Sequence, residues 1–177
     1  MSIDSSIRLV AVLLLGFVTA AHAGWDPDEV KKADETVAAF KEADSGLETY
    51  FEKAHGYAIF PTVGKGGIGI GGARGKGILY EQGKPIGRTT LTQLSIGFQW
   101  GGQVYSEVIF FENQAAIDRF KTGKFELGAQ ASAVAATAGA SADAAYESGV
   151  AIFTAVKGGL MYEASVGGQK FSYKAGD

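Results

Sequence analysis

Apolar and polar positions along this chain change period near residue 55, and that change divides its elements. From Asp28 to Ala43 the apolar residues Val30, Ala33, Val37 and Phe40 fall three and four apart, which places them on one face of a helix with charges on the others. Pro27 precedes this run, and Asp28 and Glu29 suit the positive end of its dipole. A second, shorter helix is predicted over Ser45 to Ala54, presenting Leu47, Tyr50, Phe51 and Ala54 and ended by His55-Gly56. Beyond it the pattern is that of strands. Tyr57 to Phe60 runs into Pro61, read as a strand end. Gly77 to Tyr80, Arg88 to Trp100 and Gln103 to Phe111 follow, with a hairpin turn at Gln82-Gly83-Lys84-Pro85. A short helix capped by Asn113 turns Ala116, Ile117 and Phe120 inward and ends over Lys121 to Lys124. The alanine-rich stretch Ala129 to Ala145 reads as a strand at its start and loop after Gly139. A closing hairpin is expected from Ile152 to Val156 and Leu160 to Val166, turning at Lys157-Gly158-Gly159, with a last strand at Phe171 to Tyr173. Helices followed by mostly antiparallel strands give an α+β fold: a glycine-rich, strongly twisted antiparallel sheet, barrel-like in places, with N-terminal helices and one short helix between strands.

The apolar run Leu9 to Val18 lies outside that pattern. With Arg8 before it and Ala21-His22-Ala23 after it, it has the layout of a secretory signal peptide cleaved after Ala23. It is shorter than the roughly 20 apolar residues of a spanning helix, which disfavours the rival reading of a retained anchor. The expectation is therefore an exported protein of the periplasm or cell envelope, with residues 1–23 as signal and 24–177 as one domain. The sequence has no cysteine, which excludes disulfides, thiol catalysis and cysteine metal sites.

Glycine and charge alter the picture more than length does. The run Gly64-Lys65-Gly66-Gly67-Ile68-Gly69-Ile70-Gly71-Gly72-Ala73-Arg74-Gly75-Lys76-Gly77 is too costly in backbone freedom to lack a cause, and close backbone packing or a closely approaching ligand would supply one. The net charge of −3 is too mild for a nucleic-acid partner, but it is segregated: residues 26–53 carry a net −5 and residues 55–90 a net +4, from Lys65, Arg74, Lys76, Lys84 and Arg88 against Glu81. The glycine run is thus also basic. Amide-rich turns flanked by cations suit phosphate headgroups, whereas loop lysines on a structural sheet would be the plain alternative.

Enzymatic readings are poorly supplied. Gly67 to Gly72 fits the spacing of a dinucleotide fingerprint, but Gly75, Gly77 and the β-type Ile78-Leu79-Tyr80 follow where a helix must open. No phosphate-loop frame surrounds Lys65 or Lys76, and no nucleophile elbow occurs. His55 stands at a helix end. Glu107 and Glu163, each on a strand, are the available carboxylate pair, and solvated strand faces explain both. Neither a metal site nor a cofactor is expected.

In order and spacing, several segments resemble the SYLF domain family, the Ysc84-type actin- and lipid-binding domain, in its bacterial exported form. They are Ala58-Ile59-Phe60-Pro61, Gly66 to Gly72 with Gly75-Lys76-Gly77, Ser95 to Gln99 with Gly101-Gly102-Gln103, Phe110-Phe111, Phe125 to Ala129, and Lys157 to Met161 with Gly167-Gly168. The resemblance implies a non-enzymatic lipid-binding module. On this chain it would use the amphipathic helix Asp28 to Ala43, with Lys31 and Lys32, and the basic positions Lys65, Arg74 and Lys76. The partner implied is anionic phospholipid or a membrane surface; actin binding is known for eukaryotic relatives and is not expected of an exported protein. Where many relatives carry a Gly-Pro-x-Gly-Arg-like turn, this chain has Thr137-Ala138-Gly139-Ala140-Ser141 and lacks the arginine. A small outer-membrane β-barrel and a structural or protein-interaction module are the rival readings.

Overall fold

A computed structural model describes residues 26–97, 102–157 and 164–176. The expected signal segment, Trp100, Glu163 and the predicted turn at Gly158-Gly159 lie outside those residues.

The first helix, α1 (Pro27–Ala43), begins where Asp26 accepts a hydrogen bond from the Asp28 amide at 3.0 Å, with Pro27 at a position that needs no amide donor. α2 (Leu47–Lys53) follows after a corner at Asp44. Then come β1 (Gly56–Glu81), β2 (Lys84–Gly97), β3 (Gln103–Phe111), α3 (Gln114–Lys121), β4 (Phe125–Glu126), β5 (Ser132–Ala135), a 3-10 turn (Ala140–Asp143), β6 (Val150–Val156), β7 (Ala164–Ser165) and β8 (Lys170–Ala175). The sheet order is β4-β8-β2-β1-β3-β6-β5-β7, antiparallel except for β5 beside β6. The expected α+β class with a curled, glycine-rich antiparallel sheet is what the chain adopts.

β1 explains much of the glycine. Fully extended, the chain between Ile59 and Gly77 would span roughly 60 Å, yet a Cβ placed on Gly77 would lie 2.5 Å from the Ile59 carbonyl oxygen and 2.6 Å from the Phe60 ring. The strand doubles back on itself. Its first arm pairs with β3 from Gly56 to Lys65, its second with β2 from Gly69 to Glu81, and the Gln82 amide donates to the His55 carbonyl at 3.2 Å where the arms end. Gly77 has no room for a side chain because Phe60 lies over it, an aromatic ring filling the place a side chain would take. The β1–β2 turn has positive φ at both Gln82 (+49°) and Gly83 (+75°), the twist-matched two-residue hairpin.

Three expectations are corrected. Pro61 does not end its strand; it sits at a bulge where the β1–β3 register shifts between Phe60 and Val63, so its missing N–H breaks no regular ladder. The segment after Gly139 is not all loop but includes the 3-10 turn. The closing hairpin does not hold over its described end: Ala164 and Ser165 pair with β5 and not with β6, while residues 158–163 lie outside the described residues. Strand residues are legible from the local pattern, but strand neighbours are not.

The sheet separates two apolar cores. On one face Ala33 and Phe40 of α1 and Leu47 of α2 pack over Tyr57, Ile59, Ile78, Tyr80, Val108, Phe110 and Phe153. The opposite, concave face encloses Ala116, Ile117 and Phe120 of α3 with Phe60, Leu79, Leu91, Ile109, Phe111 and Phe171. The acids of α1 are partly spent on holding it there: Tyr80 donates to Asp34 Oδ1 at 2.7 Å, and Arg88 meets Glu29 at 2.8 Å. A transmembrane barrel turns an apolar band outward to lipid; here α1 and α2 cover the outward side of the sheet over Ile59, Ile78, Phe110 and Phe153.

Candidate functional site

The helix-bearing face carries a groove of about 730 Å³ beside α1. On the second arm of β1, Ala73, Gly75 and Gly77 turn to the concave side, so the residues between them, Arg74 and Lys76, stand on the outward side. The register sets Arg74 opposite Thr92 and Lys76 opposite Thr90 on β2, and Arg88 opposite Lys174 on β8. α1 overhangs with Lys32 and Glu29, and Thr62, Thr90 and Ser172 add hydroxyls to the lining. Glu29 is matched to Arg88. Lys32, Arg74, Lys76 and Lys174 are exposed, and among the described residues none of them forms an ion pair. Several unpaired cations with hydroxyls around one groove make a strongly anion-attracting surface.

The structure therefore gathers Lys32, Arg74 and Lys76 from the residues singled out in the sequence. It does not gather the others. Lys31 is exposed on α1, 3.9 Å from Glu35. Lys84 opens β2 opposite Glu81, away from the groove lining. Lys65 turns to the concave side, two residues after the buried Val63. Lys174, which the sequence reading did not single out, completes the groove lining. Nothing local marks it, since it reaches the groove through the long-range pairing of β8 with β2.

Lys65 instead approaches Glu107, and here the reading of a solvated strand face is overturned. Glu107 is 0% exposed. Its Oε2 accepts a hydrogen bond from Gln169 Nε2 at 3.0 Å, and that same Nε2 lies 3.4 Å from the Tyr105 hydroxyl. Thr154 stands opposite on β6, and among the described residues Glu107 Oε1 has no hydrogen-bond partner. Burial pushes the Glu107 carboxyl up to about 8, against the opposing pull of Gln169 and Lys65. Burial also lowers the Lys65 ammonium, partly offset by Glu107. β3 is buried on both faces, so alternation along it could not say which side met water. Glu163 lies outside the described residues, so no carboxylate pair can be measured. His55 Nε2 lies 3.3 Å from Glu81, which Lys121 also contacts at 2.6 Å, a structural tie between α2, β1 and α3.

Against known families, residues 92–175 match the Ysc84 model, described as a Las17-binding protein actin regulator. Over these residues, just under half of the chain, it is similar to the Ysc84 family. The matched span runs from the second half of β2 to β8 and so includes one wall of the groove, with Ser172 and Lys174. The chain is also similar to Beta cell expansion factor A of Aeromonas veronii, 30% identical over 124 residues. That alignment covers 68% of this chain and 46% of the relative, so the chain spans about half that protein's length. The family is one of actin- and lipid-binding modules and is not known for catalysis.

Proposed function

We propose that this chain is a non-enzymatic, exported lipid-binding protein of the cell envelope that holds anionic phospholipid headgroups in the basic groove. One observation carries the reading: Lys32, Arg74, Lys76 and Lys174, drawn from α1, β1 and β8, converge without an ion pair among the described residues. Unpaired like charges held close repel one another, and an anion relieves that repulsion. The groove fits a phosphate better than a carboxylate slot, because flexible ammonium groups and hydroxyls surround it on several sides. α1 takes part through Lys32 rather than through its apolar face, which is committed to the sheet. That answers the excess of acid on this helix, which would repel anionic headgroups if the helix itself lay on a membrane.

The variant Arg74→Glu, Lys76→Glu, Lys174→Glu changes exposed residues only and should fold as the parent does. Its sedimentation with vesicles containing phosphatidylglycerol should fall at least tenfold, on the order of 1 kcal/mol for each reversed contact. Undiminished sedimentation would remove the groove as the binding site.

A further inference from the structure

Among the described residues, two large hydrophobic side chains are exposed: Leu94, at 86%, and Val104, at 43%. Both stand on the outward face of the sheet, since Leu91 and Tyr105 beside them in sequence face the concave core. Both also lie near the same end of the strands. Leu94 is paired with Gly72 and Val104 with Gly64, one glycine on each arm of β1. Each exposed apolar side chain thus stands beside a glycine of β1 rather than beside a side chain. Gly64 has open space where a side chain would be. Gly64, Gly72 and Leu94 share a hollow of about 610 Å³ with Arg74 and with Lys170, which is paired with Glu126 at 3.6 Å, and Arg74 also lines the basic groove.

We infer that this end of the sheet dips into the interfacial layer of an anionic bilayer, with Leu94 and Val104 as the inserting side chains and Arg74 at headgroup level. The inference rests on the lipid-binding reading and adds to it an orientation: the glycine end of the β1–β2 hairpin faces the membrane, and α3 and the Gln82-Gly83 turn face away. Exposed leucine is an uncompensated loss in water and a gain in a bilayer. A cationic rim beneath it gives the surface its preference for anionic lipid over a neutral apolar partner. The glycines matter as absence: no side chain keeps the backbone of β1 from approaching the headgroups.

The chain has no cysteine, so one introduced thiol takes one label. Leu94→Cys carrying an environment-sensitive nitrobenzoxadiazole probe is compared with Glu112→Cys, just beyond the far end of β3, on phosphatidylcholine vesicles with and without phosphatidylglycerol. The label at position 94 should shift to the blue and brighten on anionic vesicles only, and the label at position 112 should not change. Leu94→Ser with Val104→Ser should weaken vesicle sedimentation about tenfold, while the salt dependence of the remaining binding stays as in the parent. If the protein sediments with anionic vesicles and the label at 94 is unmoved, insertion is wrong and the headgroup site stands. A blue shift that grows with protein concentration without vesicles would make this face a contact between copies and overturn the inference. Failure to sediment with any vesicle would take both readings down together.

Discussion

At the scale of single residues, the chain's economy is set by what cannot be fitted and what cannot be charged. Gly77 illustrates the first. Its neighbours are the Ile59 carbonyl and the Phe60 ring, and a backbone atom cannot rotate away. Gly77→Ala should destabilise the fold by roughly 1–3 kcal/mol, read as a lower urea midpoint with unchanged slope. Glu107 illustrates the second. Its carboxyl is raised to about 8 in the fold against an ordinary 4.5, so between those values the folded protein binds a proton that the unfolded chain releases. Its contribution to stability is thus complete below the unfolded value and is lost as pH rises through about 8. Glu107→Gln keeps the neutral state, and its unfolding midpoint should be less sensitive than the parent's to pH between about 4.5 and 8; an unchanged pH profile would show that the carboxylate is accommodated charged. The sequence made the glycine constraint legible and the Glu107 environment illegible. A glycine-dense run in strand-forming surroundings calls for close packing wherever it occurs, but burial of Glu107 depends on Gln169 arriving from beyond β7.

Among elements, helices were read with near-correct limits because their signals are local. Asn113 caps α3 through the Ala116 amide at 3.0 Å, and Ala116, Ile117 and Phe120 face the core as their spacing required. Strand partners were not local in that sense, which is why β6 and β7 were taken for a hairpin. Asp44 shows what ties such non-local parts together. It is 2% exposed and accepts hydrogen bonds from the amides of Gly46 (3.0 Å), Gly139 (3.3 Å) and Ser141 (2.7 Å), joining the α1–α2 corner to the 3-10 turn. Burial works to raise its carboxyl, and the hydrogen bonds from Ser141, Gly46 and Gly139 outweigh it, holding Asp44 below the usual value. A depressed carboxyl stabilises above its unfolded value and loses that contribution as pH falls through the folded one. Asp44→Ala should cost roughly 3 kcal/mol by leaving buried amides unmatched. It should also raise hydrogen exchange first at Gly139 and Ser141, whereas uniform exchange across the chain would contradict this local role.

For the whole molecule, a chain of net charge −3 separates its charge by layer: acids of α1 hold the helix to the sheet, and cations left over at its edge line a groove. The segregation was visible in the sequence; the grouping was not. Lys65, central to the basic run, is drawn to the concave side by the alternation that leaves Arg74 and Lys76 outside, and Lys174 joins them only through the β2–β8 pairing. The most direct test is equilibrium binding of residues 24–177 to vesicles of rising phosphatidylglycerol content, at low and at high salt. Affinity should climb with anionic fraction, fall steeply as salt shortens the screening length, and be absent in the Arg74→Glu, Lys76→Glu, Lys174→Glu variant. Binding indifferent to lipid charge and salt, or retained in that variant, would contradict a headgroup site in the groove.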